Sequence, residues 1–204
     1  LRLDLNVPIL DGKITDTNRI DKIIPTINFL LSKNARIIII SHVGRPKGKV
    51  KSELSLQPIR DNLSSQVNEN VKLEKANIFN LKKNELFKSA DEKLIILENI
   101  RFYPEEENNN EKFSEHLAKL GDIYVNDAFS CSHREHASVT SITKFIPSYS
   151  GLQINSEVEA LKKITTEIKK PITCIIGGSK ISTKIDIIKN LIPKFDNIVI
   201  VGAM

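Results

Sequence analysis

Arg36-Ile37-Ile38-Ile39-Ile40-Ser41-His42-Val43-Gly44-Arg45-Pro46 decides the fold. Four consecutive isoleucines leave no polar face, so residues 36–40 read as a strand buried on both sides. Such a strand needs helices above and below it, which is the habit of parallel sheets. The apolar run then stops at once in Ser, His, Gly and Arg, where the strand releases the chain into a loop.

Working outward, the same grammar repeats. Upstream, residues 2–5 form a strand ending at Asn6-Val7-Pro8. A helical face follows through Ile20, Ile23, Ile24, Ile27, Leu30 and Leu31, with a kink expected at Pro25. Downstream, Leu56, Ile59, Leu63 and Val67 outline a helix, residues 71–73 a short strand, and residues 93–97 another buried strand. The acidic, Asn-rich stretch 105–110 reads as a solvated loop. Phe113, Leu117 and Leu120 form a helix stripe closed by Gly121, and residues 122–126 return as a strand. Ser156-Glu157-Val158-Glu159 has the form of a capping box opening a helix to about residue 168, with Pro171 beyond it. Strand 173–176, a glycine turn, a helix carrying Ile185, Ile188, Leu191 and Ile192, and strand 197–201 complete the chain. Alternating strands and helices predict an α/β fold. We expect an open parallel sheet flanked by helices, a Rossmann-like three-layer α/β/α arrangement, followed by the first strand-helix-strand of a second α/β lobe. The expected organisation is a first lobe over 1–154, a linking helix over 155–170 and a second lobe begun over 171–204.

The 204 residues are 40% hydrophobic and 27% charged, ordinary for a globular protein. No apolar run approaches the roughly 20 residues of a membrane helix, and residues 1–10 lack the form of a signal peptide. Cys131 and Cys174 stand far apart, which suits reduced thiols in the cytoplasm. The chain begins without Met and in mid-strand, so earlier residues are expected to precede it. The net charge of +5 comes from dispersed lysines, and only 5% of residues are aromatic, a poor composition for nucleic-acid binding.

Of the 30 basic residues only seven are arginine. In a chain that otherwise uses Lys, Arg supplies a planar, bidentate fork. Ligands of open parallel sheets bind outside the carboxyl ends of the strands. Those ends carry Asp4 and Asn6; Ser41 to Pro46; Glu98, Asn99 and Arg101; and Asn126 to Phe129, followed by His133, Arg134 and His136. Arg19 opens the first helix. Four of the seven Arg and three of the four His thus share one rim, which suits a small anion bearing phosphate and carboxylate groups. Asp4 has two readings: it satisfies backbone donors at its strand end, or it contacts ligand. A histidine metal site is disfavoured by the spacing of His133 and His136 and by the lack of an acidic cluster beside them. A second anion site is expected at Gly177-Gly178-Ser179-Lys180-Ile181-Ser182-Thr183-Lys184, where a strand turns into a helix and bare N–H groups attract phosphate. Its spacing is not that of a Walker A loop.

On these residues the sequence resembles the phosphoglycerate kinases over its whole length. The segments that carry the resemblance are RLDLNVP at 2–8, SHVGRPKG at 41–48, ENIRF at 98–102, VNDAF at 125–129, HREHAS at 133–138 and GGSK at 177–180. The resemblance implies reversible phosphoryl transfer between 1,3-bisphosphoglycerate and ADP, giving 3-phosphoglycerate and ATP in glycolysis, with two lobes closing about a hinge. It implies that Asp4, Asn6, Arg19, His42, Arg45, Arg101 and Arg134 contact the phosphoglycerate. Arg19, Lys180 and Lys184 would be catalytic, with Gly177, Gly178 and Lys184 beside the nucleotide. It further implies Mg2+ bound with ADP or ATP, its protein ligand lying outside this chain. No nucleic-acid or membrane partner is implied, and the full-length protein would be a monomer. The rest of a second lobe would follow Met204; without it the chain is expected to bind 3-phosphoglycerate but not turn over ATP, and to be able to self-associate through its exposed half-sheet. The alternative is a non-catalytic, truncated phosphoglycerate-binding module.

Overall fold

The computed structural model describes residues 1–178 and 185–202. The chain divides into two compact units, Leu1–Asn155 and Ser156–Met204, described here one at a time.

The first unit is built on parallel strands. These are β1 (Arg2–Leu3), β4 (Ile37–Ile39), β5 (Val71–Glu74), β6 (Leu94–Leu97), β7 (Tyr124–Asp127) and β8 (Ser148–Ser150). Two three-stranded ladders, β5-β6-β4 and β1-β7-β8, are joined where Arg2 pairs in parallel with Ile40. Leu3 N donates to Ile40 O at 3.0 Å and Ile40 N to Leu1 O at 2.9 Å across that join. The strand order is therefore β5-β6-β4-β1-β7-β8. From β1 the chain runs out on one side through β4, β5 and β6, then returns on the other side with β7 and β8. The carboxyl ends of β1 and β7 thus flank a switch point of the sheet, the usual ligand crevice of such folds.

Period-two geometry explains the isoleucine run. Ile37 and Ile39 belong to one core cluster, with Leu94 and Ile96 beside them; Ile38 and Ile40 face the other, with Ile95 and Leu97. The first face is covered by helices α1 (Asn18–Ser32) and α2 (Gln57–Val67), through Ile20, Ile23, Ile27, Ile59 and Leu63. The second is covered by α5 (Glu111–Lys119), through Phe113 and Leu117. All four residues of β6 are buried, and each such aliphatic side chain contributes about 1.5–3 kcal/mol. The three-layer expectation holds.

Local chemistry sets the boundaries. Asn110 Oδ1 accepts from Phe113 N at 3.0 Å and caps α5. Glu98 accepts from Leu56 N at 2.8 Å and from the Ser55 hydroxyl at 2.7 Å, holding the start of α2. Asn68, left-handed at φ 51°, ends that helix.

Several expectations need correction. Strand β1 closes at Leu3, two residues early, and α5 is capped by Leu120, with Gly121 outside the positive-φ region. A hairpin unforeseen in the sequence pairs β2 (Ile9–Leu10) with β3 (Lys13–Ile14) around Asp11-Gly12, both at positive φ. The stretch read as a solvated loop contains helix α4 (Pro104–Glu107), and Glu106 within it is wholly buried. Helix α6 (Leu152–Thr165), which starts in this unit, begins four residues before the Ser156 capping box. Its first turn is held by Asp127 instead, which accepts from Ile154 N at 2.9 Å. A buried carboxylate supplied by the sheet outcompetes the local Ser-x-x-Glu pattern.

The second unit contains β9 (Thr173–Gly177) and β10 (Asn197–Val201), parallel and in register from Thr173↔Asn197 to Gly177↔Val201, with α7 (Ile185–Leu191) between them in sequence. Its apolar side chains stay exposed, Ile175 by 69% and Ile192 by 59%. No helix among the described residues is long and apolar enough to cross a membrane.

Candidate anion site at the strand ends

The loop after β4 is the frame of the site, and buried polar groups fix it from three sides. The Ser41 hydroxyl accepts from Leu5 N at 3.1 Å and donates to Leu3 O at 2.8 Å. Asn99, fully buried, donates through Nδ2 to Val43 O at 2.8 Å and Leu54 O at 2.9 Å. Gly44 N donates to Asn6 Oδ1 at 2.9 Å, and Gly44 O accepts from Arg101 Nη1 at 3.0 Å. Gly44 has φ +64°, and a Cβ there would lie 2.8 Å from a Leu54 methyl, so glycine is required twice over.

On this frame the sequence-predicted residues fall into three groups. Asp4, Arg19 and Ser130 form one: Arg19 Nη1 and the Ser130 hydroxyl both donate to Asp4 Oδ2, while Asp4 Oδ1 accepts from Asn6 N at 3.2 Å. The first reading of Asp4 is met, since it accepts from a backbone donor, and it pairs with an arginine besides. His42 and Arg101 form the buried group, each 3% exposed. Arg45 is exposed, with no hydrogen bond or ion pair among the described residues; Arg134 is half-buried, and its side chain makes none either. His133 is exposed and His136 is buried.

The electrostatics are lopsided. Burial first, then the charges of Arg2, Arg101, Arg134 and His136, push the His42 pKa down to about 2. His42 is therefore a neutral imidazole among permanent cations. Burial likewise holds the Arg101 pKa below its usual value; Glu107 opposes this, while Arg134 and Arg2 add to it. Glu107 Oε1 stands 3.5 Å from Arg101 Nε. Even so, Arg101 Nε and Nη2 are buried without a hydrogen-bond partner among the described residues. A buried guanidinium with idle donors, beside a neutral imidazole and two unpaired arginines, has the chemistry that suits an anion with several oxygens.

Sequence reasoning missed the residues behind this rim. Arg2 is buried to 1% and Glu106 to 0%, and Ser138 joins them. Arg2 opens β1 rather than standing beyond its carboxyl end, and Glu106 is one of three adjacent glutamates. Neither carries a local signal. An apolar groove of about 550 Å³ lies at the opposite ends of the strands, lined by Leu30, Phe87, Leu117 and Tyr124 among others. Two of its charged lining residues, Lys83 and Asp122, are paired with each other, so it offers an anion no comparable receptor.

In the second unit Gly177 ends β9 and Gly178 follows at φ +142°. A Cβ on Gly177 would stand 3.0 Å from a Val201 methyl. Lys180 and Lys184 lie outside the described residues, as does Ala203. No group of three or more His, Cys, Asp or Glu among the described residues is placed to hold a metal.

The model of one protein family, phosphoglycerate kinase, matches residues 1–204. The chain belongs to the phosphoglycerate kinase family. A phosphoglycerate kinase of Wolbachia pipientis wMel is 48% identical over 205 residues, covering 100% of this chain and 51% of that protein. One from Chelativorans sp. is 44% identical over 204 residues, with the same coverage. Among solved structures, phosphoglycerate kinase from Coxiella burnetii superimposes with a TM-score of 0.86 at 37% identity, covering 98% of this chain and 50% of that one. The enzyme from Pyrococcus horikoshii OT3 gives the same TM-score at 28% identity. The chain thus spans about half the length of the phosphoglycerate kinases it matches.

Proposed function

We propose that this chain supplies the phosphoglycerate side of the phosphoglycerate kinase reaction, phosphoryl transfer between 1,3-bisphosphoglycerate and ADP. The observation that carries the reading is Arg101, buried with two donors idle next to a neutral His42. An anion bridging these groups recovers the hydrogen bonds that the empty receptor lacks.

The geometry supports the following roles. Arg101, Arg134 and Arg45 bind the phosphate and carboxylate of 3-phosphoglycerate, with the His42 imidazole as a neutral donor. Asn6 secures the Gly44 backbone. Asp4 aims Arg19 at the substrate end that reacts. Phosphoryl transfer needs alignment and cancellation of charge on the transferring oxygens more than covalent help, and a rim of guanidiniums supplies that from the acceptor side. Gly177 and Gly178, with Lys180 and Lys184, are proposed to serve the nucleotide. The setting proposed is glycolysis in the cytoplasm.

The direct test is isothermal calorimetry with 3-phosphoglycerate on the 204-residue chain. Binding is expected, with ATP turnover absent. Arg45→Ala and Arg134→Ala should each weaken it by about 10-fold or more, the effect of removing one charge-assisted contact. Heat that persists unchanged in both variants would place the ligand elsewhere and end this reading.

A further inference from the structure

Behind the rim, one buried chain of hydrogen bonds runs from a carboxylate to the imidazole. The Ser138 hydroxyl donates to Glu106 Oε1 at 2.6 Å, and Ser138 N donates to Glu106 Oε2 at 2.8 Å. With its proton committed to Glu106, the hydroxyl accepts from Arg2 Nε at 3.2 Å. Arg2 Nη1 donates to Leu3 O and, at 3.4 Å, to Ile40 O. Arg2 Nη2 stands 3.0 Å from His42 Nδ1. Tyr124 OH donates to Ser138 O at 2.6 Å and clamps the middle of the chain.

The direction of the last link is forced. A guanidinium has donors only and keeps its proton, so His42 Nδ1 must accept. The proton of the neutral ring then sits on Nε2. A second proton on Nδ1 would face an N–H and bury one more positive charge beside Arg2. The guanidinium in turn needs a counter-charge, because an uncompensated buried cation is costly. None of the carboxylates touches Arg2 directly. Glu106 answers it through Ser138, and burial that would raise the Glu106 pKa is outweighed by His136, by Arg2 and by Ser138, leaving it below the ordinary value. His136 Nδ1 lies 3.6 Å from Glu106 Oε1 and shares the same carboxylate.

We propose that Glu106 is a positioning residue, which acts through Ser138 and Arg2 to lock His42 in its Nε2–H tautomer, so that the site presents a neutral donor of fixed direction to an anionic substrate. The effect on affinity rests on the phosphoglycerate reading; the tautomer itself does not.

The test is long-range 1H–15N correlation spectroscopy of the histidine rings in the 15N-labelled chain, with calorimetry on the same samples. The unaltered chain is expected to show His42 with Nε2 protonated and Nδ1 bare. Glu106→Gln keeps the shape and an acceptor but removes the charge. It should move the His42 nitrogens toward the averaged positions of exchanging tautomers and weaken 3-phosphoglycerate about 10-fold, the loss of one oriented charge-linked bond. Ser138→Ala breaks the chain with the charge left in place, and decides the matter if Glu106→Gln does not fold. It should give the same ring signature. A purely structural Glu106 would lower the melting temperature and leave the His42 signals alone. That result in either folded variant overturns the proposal. Altered tautomers in the variants, with no 3-phosphoglycerate binding by the unaltered chain, would uphold the relay and overturn the substrate reading alone.

Discussion

Replacing Arg101 by Met should move stability and ligand affinity in opposite directions. The Arg101 side chain is 4% exposed and shares its surroundings with the charges of Arg2 and Arg134. Its single firm bond is Nη1 to Gly44 O at 3.0 Å, while Nε and Nη2 are buried without hydrogen bonds. Each orphaned donor costs about 1–3 kcal/mol, and the Gly44 bond contributes about 1.5–3 kcal/mol. Met removes both orphans and the repulsion from its neighbours, and forfeits that one bond. Matching low with low and high with high, the balance for the folded state runs from near zero to about 3 kcal/mol of added stability, in keeping with buried ions replaced by apolar groups. At about 2–4 °C per kcal/mol for a chain of this size, the Tm should hold or rise by up to about 12 °C. Affinity goes the other way: one charge-assisted contact of about 1.5–3 kcal/mol is a loss of about 10- to 150-fold in Kd. Scanning calorimetry with and without 3-phosphoglycerate reads both, because the ligand-induced rise in Tm shrinks as Kd grows. A Tm lowered by more than about 4 °C with affinity intact would make Arg101 a structural staple and refute the receptor argument.

Two further outcomes follow from the same geometry. His42 stays neutral in the fold down to about pH 2, whereas a free imidazole gains its proton near pH 6.5; stability present above about pH 6.5 is therefore lost as pH falls below it, by up to about 1.4 kcal/mol per pH unit. Urea unfolding from pH 7.5 to 5 should show a shallower decline for His42→Asn than for the parent, and parallel declines would refute a neutral buried ring. Asp127 also accepts a hydrogen bond from the Thr26 hydroxyl, and a Cβ on Gly151 would come within 2.3 Å of its carboxyl carbon. Gly151→Ala should consequently cost about 2–4 kcal/mol, much as Asp127→Ala does, because either change removes the α6 cap and orphans Thr26. Thermal unfolding of the double variant should show strong non-additivity, and additive losses would mean the two residues act apart.

What the sequence allowed to be read is what local period encodes. The two-sided burial of Ile37–Ile39 and of Leu94–Leu97 followed from unbroken apolar runs, and the stripe Ile20, Ile23, Ile27 placed α1. The rim residues were legible because strand ends in a parallel sheet converge wherever the crossovers lead. What escaped depends on distant partners. Glu105, Glu106 and Glu107 are identical in composition, and distant partners, Ser138 and His136, make the middle one a buried anchor. The start of α6 was misplaced because Asp127, 27 residues upstream of Ile154, supplies a better cap than Ser156. The hairpin at Asp11-Gly12 is a different case, for its turn signal stood in plain view and went unread.

These distant partners also explain why the rim keeps so much positive charge. Three guanidiniums act on His42, and if each carboxylate nearby were free, the site would neutralise itself. Instead the carboxylates are committed. Asp4 is taken by Arg19, Ser130 and the Asn6 backbone, and Glu106 by Ser138 and His136. Only Glu107 leans on Arg101, at 3.5 Å and without a hydrogen bond. Guanidiniums do not titrate near neutrality and His42 is already neutral, so the site has no easy way to shed charge by losing a proton. On the proposed reading, that excess is what the phosphoglycerate meets. Arg45 is exposed, whereas the idle donors of Arg101 are buried. A diffuse counter-ion would screen the first, and a small anion with several oxygens would suit the second. Affinity and discrimination would then have one origin, a positive charge that the fold orients but leaves unpaired.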